Sequence, residues 1–320
     1  MKVKIGFVGV GKIAWRHIEK LKEIEDAILV SFYDKEKEKA WQAAKTCSAR
    51  SYSSYREMLD KERLDAIYIC LPPFAHNNQE ILAAQRGINL FIEKPVALSL
   101  EKANQINEAV QKNGIICSVG YLYRYADIVN KAKDLLKKER IALFSGYYFC
   151  PPPNLPWWKN KELSGGQVVE QVTHIFDLAR YLVGEVESIQ GRGIKGLLDP
   201  NFTGEDASSF LLQFKNGAIG SISCSYLLSQ EKEWGANLIC PGLRLDLALS
   251  SHLLRISNHK KANIKMEIDP YWEENRIFIQ AVKNKSPELI KTPYSEALKT
   301  LKLTLAATKA LEKEEVINLS

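Results

Sequence analysis

The 320-residue sequence lacks the long apolar run that a membrane helix needs. No window approaches the required length of about 18–20 apolar residues, so a membrane partner is not expected. The short apolar run at residues 5–10 superficially resembles the core of a signal peptide. It is shorter than the roughly 7–15 residues of such a core and Lys12 ends it, so we expect a buried first strand there.

Cysteine pairs are also lacking. Six cysteines are scattered along the chain, and no two of them form a C-x-x-C pair. Cys70 and Cys117 lie inside apolar runs, where a small core residue is typical. The pattern therefore favours a reduced protein of the cytoplasm over a disulfide scaffold, and it predicts no metal site.

No concentration of charge, internal repeat or low-complexity tract is present. There are 44 basic and 38 acidic residues, a formal net charge of +6, and the excess is dispersed. Lys137-Lys138 and Lys260-Lys261 come nearest to basic clusters, so a solvated surface is favoured over a nucleic-acid partner. With 46% apolar and 26% charged residues, the composition is that of an ordinary soluble globular protein. At roughly 100–200 residues per domain, the length suggests two domains or one large one.

The first 120 residues alternate between short apolar runs and helical periodicity. The runs at 3–8, 66–71 and 88–92 have the length of buried strands, and residues 99–112 predict a helix that Gly114 ends. Strands that alternate with helices predict a parallel sheet with crossover helices.

A glycine-rich turn joins the first strand to the first helix. It matches the pattern G-x-G-x-x-G/A with Gly9-Val10-Gly11-Lys12-Ile13-Ala14. Gly9 would allow the tight turn, and Gly11 would let the backbone approach a pyrophosphate at the amino end of the helix. Asp34 ends the second strand about 20 residues later, where a carboxylate can bind the ribose 2′-hydroxyl. The pattern predicts a Rossmann-type domain that binds NAD. Lys35 and Lys37 leave NADP open, and a tight turn without a ligand is the structural alternative.

The second half has longer strands, hairpin turns and few crossover helices. Residues 210–214 and 221–226 alternate between apolar and polar on either side of Asn216-Gly217, a strong two-residue hairpin signal. Two helices are predicted near the end, over residues 271–284 and 294–311. We therefore expect an α/β Rossmann-type domain followed by an α+β domain with a mostly antiparallel open sheet. The predicted domains are residues 1–123, which bind the dinucleotide, and 124–320, which bind substrate and mediate oligomerisation.

A helix predicted to begin near Gly166 carries a polar stripe opposite an apolar face. At about 100° per residue, the apolar face contains Val168, Val172, Ile175, Phe176 and Ala179. Glu170 and His174 lie on the polar stripe, four residues apart, so their side chains can touch. Such a carboxylate–imidazole pair can carry out general acid/base chemistry. The alternative is a solvated polar face.

A proline-stiffened segment at residues 150–159 leads into this helix and carries Trp157 and Trp158. An indole face suits the C–H side of a sugar ring, whereas a rigid loop whose tryptophans cover the core is an equal alternative. Near the expected domain junction, Tyr121 and Arg124 could bind substrate oxygens or pack at the interface.

Five motifs together resemble the glucose–fructose oxidoreductase / inositol dehydrogenase / rhizopine catabolism family, written Gfo/Idh/MocA. Besides the glycine turn, they are Leu71-Pro72-Pro73-Phe74-Ala75-His76, Glu93-Lys94-Pro95, the segment 120–125 and the segment 164–177. Because the motifs fall in both halves of the sequence, the resemblance that their order and spacing carry extends over the whole chain. The resemblance implies an NAD(P)-dependent oxidoreductase that acts on a secondary hydroxyl or ketone of a sugar, cyclic polyol or sugar derivative. It also implies a homodimer or homotetramer.

The resemblance assigns roles to individual residues. Lys94 would reach the nicotinamide ribose and the reacting hydroxyl, His174 would be the catalytic base with Glu170 beside it, and His76 would open the helix after the Pro-Pro turn. The expected cofactor contacts are Gly9, Gly11, Lys12, Ile13, Asp34, Leu71, Pro72, His76, Glu93 and Lys94. The expected substrate contacts are Tyr121, Arg124, Trp157, Trp158 and Asp177. Ligands of open parallel sheets lie outside the carboxyl ends of the strands, where a lysine can polarise a substrate oxygen, so the position of Lys94 agrees.

The sequence departs from the family pattern around the proposed base. Glu170 stands where the family usually has Asp, Val172 where it has Gly, and Ser164 where it has the first Gly of the motif. The longer Glu170 would carry its carboxylate about one carbon–carbon bond further into the site. Two alternatives within this fold are a redox-neutral, cofactor-assisted glycosidase or epimerase and a non-catalytic dinucleotide-binding regulator. Retention of Lys94 and His174 argues against the regulator.

Overall fold

The computed structural model describes residues 1–319, which form two units. The first unit contains residues 1–125 and 269–298, and the second contains residues 126–268 and the chain from residue 299 onward. Each unit is built on a sheet of its own. Among residues 1–319, no helix has both the length and the apolar character required to cross a membrane.

The strands and the helices are each numbered in chain order. The strands are β1 (Val3–Val8), β2 (Ala27–Tyr33), β3 (Arg50–Tyr52), β4 (Ala66–Ile69), β5 (Asn89–Ile92), β6 (Cys117–Val119), β7 (Leu143–Phe149), β8 (Val186–Ile194), β9 (Ala207–Phe214), β10 (Ile219–Ser225), β11 (Glu233–Cys240), β12 (Leu243–Ala248), β13 (Leu253–Ser257), β14 (Lys261–Lys265) and β15 (Ile317–Asn318). The helices are α1 (Lys12–Lys22), α2 (Lys37–Cys47), α3 (Tyr55–Lys61), α4 (Gln79–Gln85), α5 (Leu100–Asn113), α6 (Asp127–Leu136), α7 (Lys161–Ser164), α8 (Thr173–Leu182), α9 (Pro270–Asn284) and α10 (Tyr294–Lys313).

The first sheet is parallel and has six strands in the order β3-β2-β1-β4-β5-β6. The central strand β4 is buried along its whole length, as expected of a parallel sheet with helices on both faces. Phe7 of β1 stacks on Tyr68 of β4 with ring centroids 4.9 Å apart, and Tyr68 stacks on Phe91 of β5 at 4.6 Å. The strand order reverses between β1 and β4, which is where open sheets of this kind bind ligands. The predicted Rossmann-type sheet is confirmed.

Helix α9 belongs to the first unit although it follows β7–β14 of the second. It packs against α1, and its Phe278 meets Tyr68 and Phe91 edge-on with centroids 5.6 and 5.5 Å apart. The observed division therefore differs from the sequence-based boundary at residues 123 and 124, because residues 269–298 return to the first unit. The apolar face of a helix does not specify which sheet it covers, so the sequence carried no sign of this return.

The second sheet has nine strands in the order β14-β13-β12-β11-β7-β10-β9-β8-β15. Every neighbouring pair is antiparallel except β7 and β10, which are parallel. On β10 the buried residues Ile222 and Cys224 alternate with serines, as the sequence predicted. Asn216-Gly217 makes the predicted hairpin turn between β9 and β10, with φ +87° at Gly217. The expected mostly antiparallel sheet is confirmed.

The cysteines are free thiols, and all but the half-buried Cys47 lie inside the protein. Burial raises the pKa of the Cys117 thiol well above its ordinary value and raises that of Cys224 to about 12. A thiol with such a pKa stays protonated at neutral pH and is a poor nucleophile or metal ligand. Both therefore behave as core residues.

Candidate active site

The glycine-rich turn connects β1 to α1, and its two glycines serve different purposes. Gly9 has φ +88°, and a side chain there would also clash with the carbonyl oxygen of Cys70, so only glycine fits. At Gly11, a Cβ would meet no atom of residues 1–319 within 4 Å beyond its own neighbours. The fold therefore requires the first glycine, whereas the second borders open space that a ligand can approach.

The carboxylate of Asp34 holds this turn in place. Its Oδ2 accepts a hydrogen bond from the backbone N–H of Val10 at 2.7 Å, and its Oδ1 accepts one from the N–H of Glu36 at 2.8 Å. Each carboxylate oxygen keeps a second lone pair for another donor. Asp34 thus lies beside the glycine turn with free acceptor capacity, as a ribose contact requires.

The amino end of α1 has the groups that a dinucleotide phosphate needs. Lys12 is the first helical residue and Gly11 caps the helix, and this end of the helix contains no acidic side chain. Backbone N–H groups and the helix dipole favour an anion at such an end. Together with the open space at Gly11 and the carboxylate of Asp34, these groups fit NAD.

The segment after β4 differs from the prediction in where the next helix begins. A 3₁₀ turn spans Pro73–Ala75, and α4 starts only at Gln79, three residues after His76. The side chain of Gln79 bonds back to the N–H of Asn77 at 2.8 Å and to the carbonyl of Ala75 at 3.2 Å, which holds this segment as a loop. His76 is buried, and its Nδ1 bonds to the carboxylate of Glu80. The cofactor contacts assigned to this loop, including Leu71 and Pro72, stay predictions.

The Glu-Lys-Pro motif directly follows β5, at the carboxyl edge of the sheet. Glu93 is buried, its Oε1 lies 2.8 Å from Nε2 of His17, and its Oε2 accepts the N–H of Lys94 at 3.0 Å. The Lys94–Pro95 peptide is cis. The sequence analysis did not single out His17. A polar residue at an apolar position of the helix was the available signal.

Tyr121 and Arg124 lie on the chain after β6, where a 3₁₀ turn spans Leu122–Tyr125. Both side chains are buried. Arg124 donates from Nη1 to the carbonyl of Lys291 at 3.1 Å and lies 3.6 Å from the carboxylate of Glu296. These contacts are within the first unit and fix the guanidinium, so a substrate contact by either residue stays a prediction.

A π-helical turn precedes α8 at the predicted catalytic helix. It spans Val168–Val172, after Gly165 and Gly166 with φ of +78° and +74°. A π-turn contains more residues than an α-turn, so the assumed spacing of 100° per residue fails at Glu170. The solvated-face alternative also fails, since Glu170 and His174 are each only 8% exposed.

Further contacts fix this helix within the second unit. Asp177 accepts a hydrogen bond from Oγ1 of Thr300 at 2.8 Å, and Thr300 in turn accepts one from Nη1 of Arg180 at 2.7 Å. In the π-turn, Gln171 accepts a hydrogen bond from the hydroxyl of Tyr148 at 2.9 Å. Asp177 therefore ties α8 to α10, and its expected contact with substrate stays a prediction.

The two tryptophans before this helix have different environments. Trp158 is fully buried, stacks on Phe202 with centroids 4.8 Å apart and meets Tyr226 edge-on at 4.4 Å. This packing fits the alternative in which the indole covers the core. Trp157 is half-buried, and its contact with a sugar ring stays a prediction.

Comparisons with known proteins bear on both halves of the chain. A family model described as "Oxidoreductase family, NAD-binding Rossmann fold" matches residues 3–121, and the "GFO/IDH/MocA C-terminal domain" model matches residues 131–244. The chain belongs to the Gfo/Idh/MocA oxidoreductase family. The expected NAD-binding oxidoreductase of this family is thereby confirmed.

Characterised members of the family resemble the chain along most or all of its length. The myo-inositol 2-dehydrogenase of Thermotoga maritima is 27% identical over 99% of this chain and 98% of its own. The scyllo-inositol 2-dehydrogenase (NAD(+)) of Bacillus subtilis is 29% identical over 70% of this chain and 67% of its own. A levoglucosan dehydrogenase solved with NADH and levoglucosan superposes with a TM-score of 0.90 at 19% identity, over the whole of both chains. At this identity, the superposition supports the fold of this chain and nothing further.

Proposed function

We propose that the chain is an NAD-dependent dehydrogenase that transfers a hydride between nicotinamide and a secondary hydroxyl or ketone of a cyclic polyol, sugar or sugar derivative. The observation that carries this proposal is Lys94 at the carboxyl edge of a sheet whose glycine turn and Asp34 fit NAD. The second unit supplies a buried carboxylate and imidazole, Glu170 and His174. The inositol dehydrogenases named above, which by name act on a cyclic polyol, support the substrate class.

The residues that would hold the cofactor lie on two turns of the first unit. The backbone N–H groups of Lys12 and Ile13 would bind phosphate, and Asp34 would bind the adenosine ribose. When bound, NAD supplies the acceptor for the hydride. The carboxylate of Asp34 would repel the 2′-phosphate of NADP, so we propose NAD as the preferred form.

Proton transfer and polarisation would fall to three side chains. In the oxidative direction, an imidazole nitrogen of His174 accepts the hydroxyl proton as the C–H bond breaks. The Lys94 ammonium hydrogen-bonds the same oxygen and stabilises the negative charge that develops on it. Glu170 orients the imidazole and stabilises its charged form. In the reductive direction, His174 returns the proton to the oxygen.

The test measures NADH absorbance on mixing the protein and NAD with inositols, sugars and sugar acids. Lys94→Ala should lower turnover at least about 100-fold, the usual scale of such catalysis, and leave NAD affinity within about tenfold. Lys112→Ala, at an exposed position of α5, is the matched control and should retain activity. Near-normal turnover of Lys94→Ala would remove Lys94 from the mechanism. If NAD binds but no net NADH is formed, the redox-neutral alternative would be indicated instead.

We also propose that the outer face of the second sheet mediates a homodimer or homotetramer. Leu211 is 64% exposed and Ile219 54%, and Ile219 pairs with Leu143 on the neighbouring strand, so the three share one face. Exposed aliphatic side chains on adjacent strands suit self-association. Light scattering of the wild type and of Leu211→Lys tests this, because the charge should shift the protein toward the monomer.

The cytoplasm is the location that we propose. The six thiols are free and only Cys47 is partly accessible, which suits a reducing compartment. Cell fractionation tests the proposal, and recovery of the protein outside the cytoplasmic fraction would contradict it.

A further inference from the structure

A chain of buried polar side chains lies beneath Lys94 in the first unit. It runs from Tyr68 of β4 through Asn275 of α9 and His17 of α1 to Glu93. Tyr68, Asn275 and His17 are fully buried, and Glu93 nearly so. Residues from separate parts of the sequence thus form one hydrogen-bonded chain that ends at the Glu93 carboxylate.

The direction of each hydrogen bond follows from the contacts of Asn275. Its Nδ2 lies 2.6 Å from the backbone carbonyl of Tyr271, which can only accept, so this atom is the amide nitrogen. Its Oδ1 then accepts from the hydroxyl of Tyr68 at 2.8 Å. Nδ1 of His17 lies 2.9 Å from Nδ2 and 3.2 Å from Oδ1. Because Nδ2 is closer and Oδ1 already accepts from Tyr68, we assign Nδ1 as the acceptor of the remaining N–H of Nδ2. The proton of a neutral His17 therefore resides on Nε2.

Nε2 of His17 faces the carboxylate of Glu93. It donates to Oε1 at 2.8 Å, while Oε2 accepts the backbone N–H of Lys94 at 3.0 Å. Gly120 gives this carboxylate its space, since a Cβ there would lie 3.0 Å from the carboxyl atoms of Glu93. Glu93 accepts on both oxygens, which is the pattern of an ionised carboxylate.

A second carboxyl group in this cluster stays neutral. Glu274 is fully buried, and burial raises its pKa well above the ordinary value, with the charge of Glu93 adding to the effect. Burial and the nearby Glu93 carboxylate thus both favour the neutral form of Glu274.

We propose that His17 and Glu93 are positioning residues for the reaction: His17 holds the Glu93 carboxylate, and that carboxylate fixes the backbone at Lys94. The inference rests on the proposed function of Lys94. A buried carboxylate is a poor source of stability, because taking its charge out of water is costly even where hydrogen bonds satisfy it. A lysine that must meet a substrate oxygen gains from a fixed backbone, since small misplacements of catalytic groups cost about 100-fold in rate.

The first test needs no substrate and uses the free protein. Nitrogen NMR of the histidine rings should show His17 with a protonated Nε2 and an unprotonated Nδ1, assigned by the signal that His17→Gln removes. Amide hydrogen exchange should show a protected Lys94 N–H in the wild type, at least about tenfold faster exchange in His17→Leu, and restored protection in His17→Gln. An Nδ1–H tautomer, or equal exchange in all three proteins, would overturn the proposal.

The second test separates turnover from cofactor binding. His17→Leu should lower kcat about 10- to 100-fold with the Kd for NAD within about threefold, because the variant misplaces Lys94 and leaves the glycine turn intact. His17→Gln, which can donate to Glu93 and accept from Asn275, should recover most of kcat. Ile18→Val trims the neighbouring core residue and controls for lost stability.

The outcomes distinguish the two proposals. A wild type that turns over no substrate would contradict the proposed function, and amide exchange at Lys94 would still decide the positioning role. An unaffected kcat in a folded His17→Leu would overturn that role. If His17→Leu does not fold, the positioning role is tested by the ring tautomer of the wild type and by the kcat of His17→Gln. A kcat of His17→Gln as low as that of Lys94→Ala would overturn the positioning role.

Discussion

Asp34 shows how a single side chain can serve both the fold and the site. The sequence pattern assigned it to a ribose, and the structure adds two hydrogen bonds to the backbone of the chain itself. One of them holds Val10, in the middle of the glycine turn. Substitution by alanine therefore removes a charge and loosens the turn together, whereas asparagine removes the charge and keeps an acceptor.

Replacing Asp34 should change the choice of cofactor. Asp34→Asn should raise the affinity for NADP relative to NAD at least about tenfold, because no carboxylate then repels the 2′-phosphate. Asp34→Ala should shift the ratio in the same direction and weaken both affinities. Titration of each cofactor by fluorescence provides the measurement. An unchanged NAD to NADP ratio in both variants would contradict the role of Asp34 in selectivity.

Glu274 should make stability depend on pH. Its pKa is raised in the folded protein, so its stabilising contribution is complete below the ordinary pKa and declines as pH rises toward the folded-state value. The decline amounts to at most about 1.4 kcal/mol per pH unit. The free energy of unfolding of Glu274→Gln should therefore rise relative to that of the wild type as the pH increases from about 5 to about 8.

Urea unfolding at both pH values checks this prediction. The informative quantity is how the difference in the free energy of unfolding between the two proteins changes with pH. The buried amide introduced by Glu274→Gln has a cost of its own, but that cost does not vary with pH. Glu19→Gln, on the exposed side of α1, is the control and should follow the wild type. A constant difference between Glu274→Gln and the wild type would contradict the assignment of a neutral Glu274.

At the scale of elements, the sequence was most informative where a pattern repeats. Alternation of short apolar runs and helices predicted the parallel sheet, and Asn216-Gly217 predicted a hairpin of the second sheet. Such patterns report how each element covers its own faces. The π-turn was not predictable in this way, because a helical wheel assumes one constant angle for every residue. The buried chain from Tyr68 to Glu93 was equally hidden, since its members are distant in sequence and meet only in the folded protein.

The π-turn should be essential for activity. Deleting Gln171 should convert it to an α-helical turn and rotate Glu170 by about 100° relative to His174. We expect kcat to fall about 100-fold or more while NAD still binds, because the glycine turn is in the other unit. Gln171→Ala removes the bond to Tyr148 without changing the register, and it should retain activity within a few-fold. Equal activity in the two variants would show that the register of Glu170 is unimportant.

At the scale of the whole molecule, the first unit is discontinuous in sequence. Phe278 and Asn275 of α9 complete the apolar and polar contacts around Tyr68. The segment 1–125 contains every strand of the first sheet, and nevertheless it lacks one of the helices that cover them. The family model for the first domain ends at residue 121, so likeness in sequence does not reveal this dependence.

The dependence can be tested with fragments. Residues 1–125 alone should fail to unfold cooperatively in urea, because the rings of Tyr68 and Phe91 lose the cover of Phe278. Joining residues 1–125 to 269–298 through a flexible linker should restore cooperative unfolding and NAD binding, measured by tryptophan fluorescence. Phe278→Ala in the joined chain should cost about 3–5 kcal/mol, the usual range for a buried phenylalanine. If residues 1–125 alone unfolded with the stability of the joined chain, α9 would be an accessory of the first unit, and the cover over Tyr68 would have to come from the sheet's own helices.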